Sequence, residues 1–135
     1  MIKNRVLLVL SLSLLVLVGC SDKVKLAGKV VFSDDGSPVP LGTVCFETDT
    51  YSARGDIRPD GTFDVASLGD NDGLPPGTYR VSVNNALKVV GQDARGNNIY
   101  EDMVAPQFRN GSTSGLVIDV TAATKKFEFK VDRNK

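Results

Sequence analysis

The chain has no histidine among its 135 residues, so any chemistry it performs must come from carboxylates, hydroxyls, amines and two thiols. Histidine is the usual general base near neutral pH and the commonest zinc ligand. Gly111-Ser112-Thr113-Ser114-Gly115 follows the outline of a nucleophile elbow, but its central residue is Thr113 and no imidazole can activate it. The segment reads as a flexible loop. Asp70-Asn71-Asp72-Gly73 has the residue types of a calcium loop, yet Leu74 and Val81 stand at the fifth and twelfth positions, where an EF-hand loop needs ligands. Aspartate and asparagine also favour turns through their own backbone hydrogen bonds, and a calcium site would need Asp34 or Asp35 from elsewhere. Tyr51, Tyr100 and Phe108 offer an aromatic platform for a glycan, without a tryptophan to lead it. Cys45 alternates with Val44 and Phe46 and faces solvent or a second sheet. No neighbouring feature activates it, so it reads as an inert thiol. No catalytic, cofactor-binding or metal-binding residue is assigned.

The other thiol carries the sharpest signal. Met1-Ile2-Lys3-Asn4-Arg5 is a short basic start, and Val6 to Val18 is an apolar run interrupted only by Ser11 and Ser13. A run of this length fits the apolar core of an export signal, about 7–15 residues. It is shorter than the roughly 20 residues that span a bilayer as a helix. The run ends in Leu17-Val18-Gly19-Cys20, which resembles the lipobox read by lipoprotein signal peptidase. Small Gly19 fits beside the cut, and only the thiol of Cys20 can carry a diacylglyceryl group. Residues 1–19 are therefore predicted to be a lipoprotein signal peptide cleaved between Gly19 and Cys20, with Cys20 lipidated. Two or more acyl chains make such an attachment stable. Ser21, where inner-membrane retention favours aspartate, tilts the expected location towards the outer membrane. Residues 20–23 form the lipidated start and a short tether, which spans only roughly 10 Å.

Removing residues 1–19 takes away Lys3 and Arg5 and no acid. The 16 basic side chains then become 14 against 16 acidic ones, a net charge of −2. That balance argues against nucleic acid, whose binding needs a basic patch. With Cys20 committed to lipid, Cys45 has no partner for an intramolecular disulfide. What remains suits one domain with a reasonable core.

The elements that must position these residues are strands. Val24, Leu26, Val30 and Phe32 share one parity and Lys25 and Lys29 the other, the period of a half-buried strand. Asp34-Asp35-Gly36-Ser37-Pro38 is a turn by composition. Val44 and Phe46 alternate with Thr43, Cys45 and Glu47. A weaker strand over 53–57 leads to Pro59-Asp60-Gly61, where proline presets one dihedral and glycine accepts a positive φ. Thr62 to Ala66 is expected back as the hairpin partner, with Phe63 and Val65 inward. After Pro75-Pro76-Gly77, Tyr79, Val81 and Val83 alternate with Arg80 and Ser82. The parity of Tyr79 suits core packing, and its hydroxyl can reach a corner backbone group. Leu116, Ile118 and Val120 share a face, and so do Phe127, Phe129 and Val131, with Thr121 to Thr124 turning between them. Within 84–115, Lys88-Val89-Val90 suits one more strand, Gly91 to Asn98 is loop-like, and Met103 to Gly115 has no clear period.

The series also resembles a known family. Gly28-Lys29-Val30-Val31-Phe32 and Pro38-Val39-Pro40-Leu41-Gly42-Thr43-Val44-Cys45-Phe46 look like the start of a carboxypeptidase-regulatory-like domain. Asp60-Gly61-Thr62-Phe63 and Gly73 to Val83 continue it in order. Thr113-Ser114-Gly115-Leu116 resembles a late segment of small bacterial lipoproteins of this type. The resemblance implies a transthyretin-like (prealbumin-like) fold over residues 24–135: an all-β, antiparallel Greek-key β-sandwich of about seven strands. It implies an accessory role rather than catalysis. The histidines and C-terminal Tyr-Arg-Gly-Ser motif of the related hydroxyisourate hydrolases are missing from this chain, which ends Val131-Asp132-Arg133-Asn134-Lys135.

The expected function is that of a lipid-anchored, non-catalytic binding or adaptor module at the bacterial cell envelope, with no cofactor. Its expected partners are the membrane, through the anchor on Cys20, and an envelope protein or a glycan. The alternatives are a structural envelope protein without a soluble ligand and, behind it, a carbohydrate-binding module.

Overall fold

Residues 23–66, 73–124 and 126–135 are described by the computed structural model. Alternation becomes strand nearly everywhere it was read. In chain order the strands are β1 (Ala27–Phe32), β2 (Gly42–Glu47), β3 (Ser52–Ile57), β4 (Thr62–Asp64), β5 (Gly77–Asn84), β6 (Leu87–Gln92), β7 (Asn98–Asp102), β8 (Leu116–Val120) and β9 (Lys126–Val131). A single 3-10 turn, Pro106–Arg109, lies between β7 and β8. Seven of these strands make two facing sheets, ordered β4-β1-β9 and β3-β2-β5-β8, and β6-β7 forms a separate hairpin. The fold is an all-β sandwich. Among the described residues no helix is long and apolar enough to cross a membrane.

The core lies between the sheets. Val30, Phe32, Phe63, Phe129 and Val131 come from one side, and Val44, Phe46, Ala53, Ile57, Val81, Val83 and Val120 from the other. Phe46 sits at the centre, with its ring 6.0, 5.8 and 6.2 Å from those of Phe63, Phe127 and Phe129 on the opposite sheet. These tilted and edge-on arrangements are the ones aromatic quadrupoles favour. All nine strands and the buried core fall between Leu26 and Val131.

Two connections differ from the sequence expectation, and the reason is common to both. Strands adjacent in sequence change sheets instead of pairing. β4 does not return beside β3 as a full hairpin but pairs antiparallel with β1, Gly28 opposite Phe63. Past the Gly61 turn, the backbone ties between it and β3 are the Arg54–Ala66 bridge and the bond from the Arg58 amide to the Thr62 carbonyl. The strands cross so closely that a Cβ on Gly55 would stand 2.3 Å from the Asp64 carbonyl oxygen. The turn itself is as expected: Gly61 has φ +83°, and its amide donates to the Arg58 carbonyl at 2.8 Å. Likewise β8 pairs with β5 and β9 with β1, so residues 121–124 carry the chain between sheets. The β1–β9 ladder is parallel, from Ala27 opposite Lys126 to Phe32 opposite Val131. No tight turn sets the direction of β9, so nothing forces it antiparallel.

Past β5 the chain closes one end of the sandwich. The Met103 amide donates to Ala86, the Ala105 amide to Asp132 and the Asn134 amide to Met103. Val104, fully buried, thereby joins the ends of β5 and β9. Chain entry lies at the opposite end, where Val24 exchanges two backbone bonds with Leu74.

Candidate functional site

Gly19, Cys20 and the Asp70-Asn71-Asp72 segment lie outside the described residues. The other candidates from the sequence are placed, and most have structural work to do. Gly111 to Gly115 is a hydrogen-bonded turn rather than a flexible loop. The Ser114 hydroxyl donates to the Val81 carbonyl at 2.5 Å and accepts from the Leu116 amide, while the Thr113 hydroxyl donates to the Gln107 carbonyl at 2.7 Å. The Ser114 hydroxyl holds the start of β8 against β5, and the Thr113 hydroxyl ties the turn to the 3-10 segment.

Asp34 and Asp35 are engaged by Arg133, whose Nε lies 2.8 Å from Asp34 and whose terminal nitrogen lies 3.0 Å from Asp35. The same guanidinium stands 3.8 Å over the Phe32 ring, a cation–π contact. The Ser37 hydroxyl and amide, then Arg133, hold the Asp35 carboxyl down at about 2. Among the described residues no group of three or more acidic or thiol side chains is arranged to hold a metal.

Cys45 lies on the outward face of β2, half-buried, with Arg54 and Ser82 as its cross-strand neighbours. The Asn84 amide approaches its sulfur at 3.8 Å. The aromatic trio is not brought together. Tyr51 packs edge-on against Tyr79 with ring centres 6.3 Å apart, Phe108 is buried in the 3-10 turn, and Tyr100 is exposed on β7. Tyr79 satisfies both expectations: it is buried, and its hydroxyl donates to the Pro75 carbonyl at 2.7 Å.

The feature least expected from sequence is the β6–β7 hairpin. Neither strand joins a sheet, and Val89, Val90, Ile99 and Tyr100 are each 47–57 % exposed. Val89 and Tyr100 are direct cross-strand partners and so share a face. A bulge between Val89 and Gly91 inserts Val90, which increases local twist. At the tip Asp93 accepts from the Arg95 amide at 2.8 Å and the Asn97 amide at 2.9 Å, and from the Asn97 side chain at 3.0 Å. These bonds to the ionised form, led by the Asn97 side chain, lower the carboxyl's pKa. At the base Arg109 pairs with half-buried Asp102 at 2.6 Å, fixing the arm to the 3-10 turn. Exposed apolar side chains on both faces of the hairpin, set among Lys88, Glu101, Gln92 and Asn98, have the composition of a protein contact surface. The sequence signal was faint. Asp93 to Asn97 is turn-like, but both faces of the hairpin are exposed, so its flanks lack the alternation that burial imposes.

No family model and no curated protein matches this chain. Among solved structures, a 9R-lipoxygenase from Cyanothece PCC8801 is similar at 18 % identity and a TM-score of 0.40, covering 82 % of this chain. The match spans 16 % of the lipoxygenase chain and is too distant to carry an argument about either fold or function.

Proposed function

We propose that this chain is a lipid-anchored, non-catalytic binding module of the bacterial cell envelope, held through Cys20 and presenting the β6–β7 arm to an envelope protein. The observation that carries the reading is the arm: two strands outside both sheets, with Val89, Val90, Ile99 and Tyr100 turned to solvent. Its base lies at the end of the sandwich that Ala86, Met103 and Asn134 close. The chain enters at Val24, at the other end. From Val24 to Phe32 the extended chain covers about 26 Å, so an anchor on residue 20 leaves the arm facing away from the membrane. The order of turn and strand motifs supports a transthyretin-like, carboxypeptidase-regulatory-like relationship, and the absence of histidine from the sequence supports a role without catalysis.

The test is photo-crosslinking in living cells from Val90 and Tyr100, with Ser52 on the exposed edge strand β3 as the control. A few defined protein adducts from the arm and none from Ser52 are expected. Adducts formed mainly with the chain itself or with peptidoglycan would favour a structural role. Hydrolysis of a glycan or peptide that is lost on an Asp→Ala substitution would overturn both. The anchor is tested separately: Cys20→Ala is expected to abolish lipid labelling and leave the fold intact.

A further inference from the structure

The outward face of the β4-β1-β9 sheet is basic where the chain enters it. Lys25, Lys29 and Lys126 point outward, on the parity opposite to Leu26, Val30 and Phe129. Because β9 runs parallel to β1, its first residue Lys126 stands beside Ala27 and not at the far end. Arg58 extends over β4, pairing with Asp64 at 2.7 Å and donating to the Thr62 hydroxyl at 2.9 Å. Among the described residues Lys25, Lys29 and Lys126 form no ion pair, and the acids on this part of the face are Asp64, paired with Arg58, Asp60, bonded to Thr62, and Glu128 beside Lys29. A shallow depression of ≈ 530 Å³ opens between Lys29, Arg58, Thr62, Lys126 and Glu128. At the far end of β1 and β9 three acids, Asp34, Asp35 and Asp132, gather beside Arg133 and Ser33 and outnumber the cations there, Arg133 and the outward Lys130. The outward face of the other sheet carries Glu47, Asp56 and Asp119 against Arg54 and Arg80. Among the described residues, three cations outside any ion pair, Lys25, Lys29 and Lys126, therefore come together near the point where residue 23 leads into the sandwich, while Arg54, Arg95, Lys130 and Lys135 lie apart from it.

We propose that this corner is a docking surface for anionic lipid headgroups, with Lys25, Lys29 and Lys126 meeting the bilayer and a lipid phosphate taking the depression beside Arg58. Two observations on the molecule select a membrane as the occupant. The basic corner coincides with chain entry, so an anchor on residue 20 delivers this corner to the headgroups. Opposite charge occupies the other end of the same strands, which orients the domain as well as attracting it. The proposal rests on the anchored reading for its choice of occupant, whereas the headgroup binding itself does not require lipid on Cys20. Lysines near an anionic surface strengthen association by about fivefold each, an effect that decays within a Debye length.

The experiment uses unlipidated residues 21–135, which contain every strand and the whole described core. Co-sedimentation is measured with phosphatidylcholine vesicles alone and with about 30 % phosphatidylglycerol, with circular dichroism confirming the fold of each variant. Binding is expected only to the anionic vesicles, with loss at high salt. Lys25→Glu/Lys29→Glu/Lys126→Glu is expected to weaken it by at least roughly a hundredfold. A control of equal charge change, Arg54→Glu/Arg80→Glu/Arg95→Glu, should bind within about twofold of the parent. Equal loss in both variants, or no preference for phosphatidylglycerol, would overturn the proposal. So would capture of a cell-wall polymer through these lysines without vesicle binding. Should the triple variant fail to fold, Lys126→Glu with the salt dependence of the parent decides the same question. Failure here leaves lipidation of Cys20 standing, and failure of lipid labelling in cells leaves this face standing.

Discussion

Tyr51 and Tyr79 pack against each other but differ in what their hydroxyls achieve. Tyr79 donates to Pro75, whereas the Tyr51 hydroxyl is buried with no partner among the described residues. Burial, and then Tyr51, raise the pKa of Tyr79, so it stays a neutral donor throughout the neutral range. Removing one member of a buried hydrogen bond costs about 1–3 kcal/mol, while removing an unpaired polar atom relieves a desolvation cost. Tyr79→Phe should therefore lower unfolding stability by about 1 kcal/mol or more, and Tyr51→Phe should be neutral or stabilising. Urea denaturation of both variants would show it, and equal losses would refute the distinction. Acid sensitivity also belongs to single residues. Asp35, Asp60 and Asp93 all have pKa values below the ordinary 3.8, held there by Ser37, Thr62 and Asn97 respectively, with Asp35 at about 2. A depressed folded-state pKa contributes stability above the unfolded value that is lost as pH falls through the folded one. Thermal stability should stay nearly flat from about pH 5 to 8, where histidine would titrate if the chain had any. It should then drop between 3.8 and about 2, with a smaller drop in Asp35→Asn. A transition near pH 6 would contradict this assignment.

Strands were legible in the sequence and their partners were not. Val44 and Phe46, Phe127 and Phe129, and Tyr79 to Val83 alternate because one face of each is buried. The Pro59-Asp60-Gly61 turn is legible as well, and Gly61 takes the positive φ that glycine accepts. Pairing depends on which sheet a strand joins, and Thr121 to Thr124 looks the same whether it closes a hairpin or crosses a sandwich. The arm was illegible for another reason: its apolar residues face water on both sides, so Val89-Val90 is a run without a period. Isolated two-stranded hairpins are marginal in water, and this one relies on its Asp93 turn and on Arg109 at its base. Asp93→Ala should therefore speed amide exchange in β6 and β7 by about tenfold or more while leaving β2 and β5 protected. Unchanged exchange in the arm would mean that the turn does not hold it.

At the scale of the molecule the sandwich and the arm are separable in stability. Phe46 alone touches three rings of the opposite sheet, whereas the arm adds none of its exposed side chains to the core. Phe46→Ala should cost about 3–5 kcal/mol, a large share of what holds a domain of this size together. Replacing residues 88–101 by a short glycine turn should cost far less, because Leu87 already lies opposite Asp102 and the closing bond from Met103 to Ala86 is kept. The arm-less protein should unfold with nearly the parent denaturant midpoint and a slightly smaller m-value, since less surface is exposed on unfolding. Under the proposed function, the arm-less protein in cells should keep the parent's location and lose the crosslinks formed from the arm, whereas Phe46→Ala should lose abundance first. If removing the arm unfolded the sandwich, its exposed residues would have to be reassigned from recognition to structure.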